Sequence, residues 1–394
     1  MAMVRWTAPP PLLDLALLFL RLGTTAFGGP AAHVALMEDE VVRRRRWLSR
    51  EQFLDYVGAT NLIPGPNSTE LAIHVGLARH GWPGLVVAGV CFILPSALIV
   101  GTIAWAYVRY GALPEVAGIL AAIAPVVIAI VVSALWQLAR TAVKSSYLAI
   151  LGVAALLALL SGVHEMVVLL AAGLASGLSA SAAAWRRRFA ALLGMVCGWT
   201  SWRIEVLAVT IVGAAGSTAA ITSWSLFLIF ARIGALLFGS GYVLVAFLRA
   251  DLVERLGWLT ERQLLDAVAV GQVTPGPLFT TATFVGYLLG GATGATIATL
   301  GIFLPAFVFV ALSGRLVPRL RRSRVAGAVL DGVNVASLAM MAAVTWQLGS
   351  VTLRAPVPIA LASLSALLLT RYSTNPAWLV AGAATVGWVF ARSA

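Results

Sequence analysis

Apolar stretches of 18 to 25 residues recur from Leu12 to Phe390, and they narrow the possible folds more than any other feature. At 1.5 Å per helical residue each can cross a hydrocarbon core of about 30 Å. Of the 394 residues 60% are hydrophobic and only 11% charged, against about 25% charged in a soluble domain. The chain therefore reads as an all-α, polytopic membrane protein. Its basic excess, 27 Lys and Arg against 15 Asp and Glu, does not point to nucleic acid. The arginines sit in short loops between apolar spans, where they act as topology signals. Cys91 and Cys197 lie in apolar surroundings without a C-x-x-C or a nearby His, so neither a disulfide nor a metal site is expected. No cofactor is called for. Leu12 to Phe27 lacks a small-residue cleavage site and reads as a first span, not a removable signal.

The chain also repeats itself. Phe19-Leu-Arg21-Leu-Gly23 through Phe27-Gly28-Gly29 returns as Phe230-Ala-Arg232-Ile-Gly234 through Phe238-Gly239-Ser240, at an offset of 211. The same offset carries Trp47-Leu48 onto Trp258-Leu259 and Pro64-Gly65-Pro66 onto Pro275-Gly276-Pro277. At an offset of 210, Pro95 meets Pro305 and Trp136-Gln137-Leu138 meets Trp346-Gln347-Leu348. The expected organisation is a first repeat over 1–181, a linker over 182–223 with room for a short membrane hairpin, and a second repeat over 224–394.

The segment 53–78 carries Pro64-Gly65-Pro66 in its middle, with Asn61, Asn67 and Glu70 around it; its counterpart carries Gln272 before Pro275-Gly276-Pro277. Two prolines around a glycine cannot continue a helical hydrogen-bond ladder, so the backbone breaks there. A kinked spanning helix is one reading. The other is a re-entrant or discontinuous helix lining a substrate path, because broken backbone at membrane depth is tolerated beside protein or an aqueous cavity. If 53–78 enters and leaves from one side, Arg43 to Arg46, Arg79, Arg140, Lys144 and Arg186 to Arg188 share that side, which positive-inside makes cytoplasmic. The loop matching the four-arginine run is almost neutral, with Arg249, Asp251, Glu254, Arg255, Glu261 and Arg262. The second repeat is then expected upside down relative to the first. The piece 189–221 makes either no crossing or two.

Arg21 and Arg232 lie about ten residues into the first span of each half, where an arginine costs at least ~2.5 kcal/mol on insertion scales. Either an internal ion pair compensates, or two guanidiniums related by pseudo-twofold symmetry form an anion site with forked donors. Asp14, seven residues before Arg21, is a candidate partner. The exits Phe27-Gly28-Gly29-Pro30 and Phe238-Gly239-Ser240-Gly241 suit exposed backbone N–H groups and anion-binding turns. His33 is either a structural histidine or a proton-coupling group. Glu70, opposite Thr280-Thr281 of the second half, is either the partner of Arg21 or a coupling proton site. Asp331 matches Ala121, so an intramembrane acid is expected in one half only.

Phe27-Gly28-Gly29-Pro30-x-x-His33, Arg45-Arg46-Trp47-Leu48 and Pro64-Gly65-Pro66, repeated in degenerate form, resemble the chromate ion transporter family in its long, two-domain form. The resemblance covers nearly the whole chain. It implies a multi-pass protein of a bacterial or archaeal inner membrane that exports chromate, with sulfate as the chemical analogue, and confers chromate resistance. It also implies that Arg21, Phe27 to Pro30, His33, Arg45 to Trp47 and Pro64 to Pro66 matter. The second half departs from the pattern, with Leu244 for His33 and Gly257 for the arginine before Trp258.

The expected mechanism is alternating access around a central oxyanion site. Arg21 and Arg232 hold the dianion, helped by Asn61, the glycine-rich exits and N–H groups at the Pro-Gly-Pro breaks. Outward movement of a −2 ion is assisted by the membrane potential, at about 2.3 kcal/mol per charge per 100 mV. An anion channel, or a transporter for another small anion, is the alternative. No nucleophile elbow, paired carboxylates or soluble domain is present to suggest an enzyme. The expected partners are the oxyanion and the lipid bilayer; a homodimer is left open.

Overall fold

The computed structural model describes residues 11–26, 29–60, 63–111, 113–180, 222–237, 243–322, 324–372, 374 and 376–393. All regular structure among them is helical. The first half runs α1 (Leu12–Thr25), α2 (Gly29–Glu38) with a π-helical continuation over Asp39–Arg44, α3 (Arg50–Thr60), α4 (Asn67–Tyr110), α5 (Pro114–Ala142), α6 (Ser146–Leu160) and α7 (Glu165–Ala180). The second runs α8 (Ser223–Leu236), α9 (Leu244–Leu248) with a π-helical continuation over Arg249–Arg255, and α10 (Glu261–Val273). A 3-10 turn (Leu278–Thr280), α11 (Thr281–Arg322), α12 (Arg324–Thr352), α13 (Pro356–Tyr372) and α14 (Pro376–Ser393) complete it. Among the described residues four helical stretches are long and apolar enough to cross a membrane: Asn67–Tyr110, Gly118–Arg140, Leu278–Ser313 and Val325–Thr352. The chain is thus a polytopic, all-α membrane protein.

Local chemistry explains where these helices begin. Ser49 and Gln52 close a reciprocal capping pair ahead of α3, at 3.0 and 3.2 Å, and Thr260 and Gln263 do the same ahead of α10, at 2.9 and 3.2 Å. The long elements do not run straight. α4 turns at Gly81 (φ 60°, ψ −141°) and α11 at Gly290 and Gly291, the latter with φ 60°. A Cβ added at Gly76 would stand 2.1 Å from the Gly84 carbonyl oxygen. On one uninterrupted helix those residues would be about 12 Å apart, so α4 is a tight hairpin of two arms. Gly286 and Gly294 repeat the contact in α11, at 2.4 Å. Small residues let helices approach this closely in a membrane, where lipid supplies no hydrophobic drive between them.

α1 packs along α4, and α8 along α11; α4 then meets α11 across the centre. The outer helices are exchanged: α13 and α14 pack on α5, while α6 and α7 pack on α12. Phe19 and Phe92 meet edge to face at 6.3 Å in the first half, and Phe279 and Phe303 at 6.1 Å in the second. Ile150, Leu157 and Leu170 remain exposed, as lipid-facing positions should, while Leu98, Leu300 and Leu304 line an apolar cavity of about 600 Å³ between α4 and α11. One sequence expectation is shortened. The first span ends as helix at Thr25, and its 14 residues reach about 21 Å, less than a full crossing. The crossings considered for 189–221, with Cys197 and Arg186 to Arg188, lie outside the described residues.

Candidate functional site

Both Pro-Gly-Pro segments interrupt helix, between Thr60 and Asn67 and between Val273 and Leu278. Their glycines stand at φ 140° (Gly65) and 90° (Gly276), backbone that a side chain strains. Each break is fastened to the opposite half. Gly65 N–H donates to the Leu237 carbonyl at 2.8 Å, and Gly276 N–H donates to the Ala26 carbonyl at 2.9 Å. Ala26 and Leu237 cap α1 and α8, and the offset of 211 that relates them also relates Gly65 to Gly276. Ser96 of α4 shares a hydrogen bond with Thr280 at 2.9 Å across the same junction.

Around this junction the structure collects buried polar atoms that no protein group satisfies: Thr69 Oγ1, both Glu70 carboxyl oxygens, Gln272 Nε2, His33 Nδ1 and His74 Nε2. Such orphans are expensive in a core and mark places where a water, ligand or proton supplies the missing bond. The first turn of α4 adds N–H groups that have no partner within their helix. His33 reaches the same carbonyl as Gly276, with Nε2 at 3.1 Å from Ala26 O.

The two deep arginines are ion-paired. Arg21 Nη2 donates to Glu40 Oε1, and Glu40 also meets Arg44 at 3.2 Å and Arg45 at 3.3 Å. Arg232 Nη2 donates to Asp251 Oδ1, which Arg255 meets at 3.2 Å. Glu40, not Asp14 or Glu70, is therefore the partner of Arg21, and each arginine is held inside its own half. Burial pushes the Glu40 carboxyl up, but bonds from Arg21 and Arg45 and the charges of Arg21 and Arg44 outweigh it and hold it below the usual range. The guanidiniums stay reachable, with side-chain exposures of 52% for Arg21 and 35% for Arg232.

The remaining expected positions scatter. Pro64, Gly65, Pro66, Pro275, Gly276 and Pro277 form the junction, and Gly29 and Pro30 start α2. Asp331, on α12, is bound to Lys144 at 2.6 Å, away from the breaks in sequence and partner alike. Phe27, Gly28, Asn61, Gly239, Ser240 and Gly241 lie outside the described residues. Arg79, read as a loop charge, is buried and donates to the Trp47 carbonyl at 2.9 Å, tying the two ends of the broken segment together. Arg46 takes φ 52°, and Gly257 takes 62° at the matching place, which explains why glycine stands there. A cavity of about 410 Å³ with a mixed lining opens between the α6–α7 connection of the first half, with His164, and Arg249, Asp251, Arg255 and Gln347 of the second.

Sequence reasoning missed Glu40 and Asp251, although the offset of 211 relates them, and missed Asp266, the repeat of Asp55. Asp266 is buried and accepts from the Tyr107 hydroxyl at 2.8 Å. Among the described residues no cluster of His, Cys, Asp and Glu could hold a metal ion.

A family model described as "Chromate transporter" matches residues 13–178 and again 224–388. The chain is 31% identical to a chromate transport protein of Cupriavidus metallidurans, over 97% of this chain and 94% of that one. It is 31% identical to a chromate transport protein of Pseudomonas aeruginosa, over 97% and 93%. A shorter uncharacterized transporter of Bacillus subtilis is 30% identical, with 94% of its length matched by 42% of this chain. No solved structure matches.

Proposed function

The chain belongs to the chromate transporter family, and from that premise we propose that it exports chromate, with sulfate as a competing analogue, by alternating access at the junction of the two breaks. It is a membrane transporter of oxyanions and not an enzyme. The observation that carries the reading is the reciprocal pair of bonds, Gly65 to Leu237 and Gly276 to Ala26. Rocking one half against the other opens one bond while the second persists, which exposes the junction to one face at a time.

The dianion is held by the N–H groups that open α4 and the 3-10 turn, with the Thr69 hydroxyl beside them. Arg21 and Arg232 lie five residues before Ala26 and Leu237 and supply positive charge from the flanks, exchanging Glu40 and Asp251 for the anion. His33 fixes the Ala26 carbonyl.

The two halves act as inverted repeats with re-entrant Pro-Gly-Pro hairpins. Two contacts support this. The Tyr56 ring stacks on His74 at 5.3 Å, although one straight helix would hold them about 27 Å apart. The Arg79 bond to Trp47 likewise brings both ends of the segment to one side. The asymmetric loop charges favour the cytoplasm for that side, and the membrane of this reading is a bacterial or archaeal inner membrane.

The test is flux of labelled chromate and sulfate in proteoliposomes under imposed voltage. Chromate flux inhibited by sulfate, saturating and slow, is the expected result. Currents above about a million ions per second would make the protein a channel, and flux of neither ion by folded protein would move the substrate to another small anion.

A further inference from the structure

Glu70 is the least explained residue in the membrane part of the chain. Its carboxyl is fully buried and neither oxygen has a hydrogen-bond partner. One oxygen lies 2.3 Å from where a Cβ on Gly65 would stand, so the group folds back against the break itself. One helical turn further on, His74 is buried with Nε2 unpartnered, and its ring stacks on half-buried Tyr56 of α3. Tyr56, His74 and Glu70 therefore form a titratable column from the flank of the hairpin to the junction. The second half carries Ala267, Val285 and Thr281 at the three matching positions, so the column exists in the first half alone.

We infer that this column is a proton path, and that Glu70 holds a proton that crosses together with the oxyanion. A bare carboxylate without donors in a buried site is strongly destabilised, and a dianion a few ångströms away makes it worse. Binding of the proton removes both penalties at once. His74 accepts a proton at its free Nε2 and passes one on toward Glu70, so no bond other than N–H and O–H forms or breaks. The co-transport part rests on the oxyanion reading above; the proton site does not.

The groups on the neighbouring elements leave Glu70 without a counter-charge. α1 carries Asp14 and Arg21, the latter held by Glu40; α2 carries His33, bound to the Ala26 carbonyl, and Glu38, which faces Arg43 and Arg50. α3 carries Arg50, Glu51, Asp55 and Tyr56, and α10 carries Glu261, Arg262 and Asp266, of which Glu261 is bound by Arg249 and Asp266 by Tyr107. The 3-10 turn has no titratable side chain, and the described side chains of α11 include only Tyr287. On α4 itself Arg79 is bound to the Trp47 carbonyl.

Two readouts on the full-length protein test this. Infrared difference spectra of the purified protein across a pH step report the neutral-acid carbonyl directly, without any substrate. The expected band is present in wild type, absent in Glu70→Gln, and shifted in its pH dependence by His74→Gln. Proteoliposomes with a lumenal pH dye then report whether chromate or sulfate flux carries protons. Wild-type flux is expected to move the lumenal pH, whereas Glu70→Gln, locked in the neutral form, exchanges anions with no pH change and no pH dependence. A band with no flux of either anion would leave the proton site standing and overturn the oxyanion reading. Absence of the band, or a band unchanged in folded Glu70→Gln, would overturn the proton site whatever the flux. Proton-free flux in wild type would overturn the co-transport step.

Discussion

The turns that follow α2 and α9 occupy matching places, and one set of ion pairs in them carries opposite sign. In the first half Glu38 faces Arg43 at 3.9 Å and Arg50 at 3.8 Å. At the positions 211 further on stand Arg249, Glu254 and Glu261: the acid has become a base and both bases have become acids. The second version is also tighter. Arg249 meets Glu261 at 2.6 Å, binds Glu254 and Gln347, and keeps a side-chain exposure of only 12%. Packing has preserved the pairing while the sign was free to reverse. The neighbouring Arg21–Glu40 and Arg232–Asp251 pairs did not reverse, which sets them apart as pairs whose sign matters.

The comparison can be broken most severely at Arg249. Arg249 is itself well covered while Glu254 and Glu261 are partly exposed. Removing it strips several partners at once and costs about 2 kcal/mol, between the exposed and buried limits, so Arg249→Ala should unfold earlier in detergent. The triple reversal Arg249→Glu, Glu254→Arg, Glu261→Arg should recover most of that loss, and failure to recover would show that more than pairing is at stake.

Gly276→Ala comes next. Its Cβ would meet Ser96 Cβ at 2.7 Å and the Gly23 carbonyl at 3.0 Å, at φ 90°. Strain of about 2 kcal/mol at the junction should lower anion flux by roughly tenfold or more. Gly65→Ala meets a movable carboxyl oxygen first, so its effect on flux should be the smaller of the two.

Glu40 gives a pH test. Its carboxyl is held below the ordinary value of 4.5 in the folded protein, so it stabilises the fold fully above that value and loses the contribution as pH falls through its folded value. Glu40→Gln should cost about 1 kcal/mol at neutral pH and flatten the acid limb of a thermal-stability profile. Glu38→Ala, whose partners are exposed, should shift stability by less than about 1 kcal/mol.

Spans, duplication and breaks were legible because each depends on local chemistry: apolar length, motif order, and proline without an N–H. The partners were not. Glu40 sits in the run Glu38-Asp39-Glu40 before four arginines, which reads as a solvated loop until folding brings it back to Arg21. The bends at Gly81 and Gly291 were equally hidden, since a single glycine inside an apolar run says little without the Gly76 and Gly286 contacts. That each break binds the other half depends on how two repeats interlock, and no local pattern carries that.

The central claim is that the anion rests where the breaks meet. Crystals grown with selenate, a tetrahedral dianion with an anomalous signal, test it most directly. A selenium peak between Gly65 and Gly276, lost in Gly276→Ala, is the expected result. A peak confined to the cavity beside Arg249, with the junction empty, would contradict it.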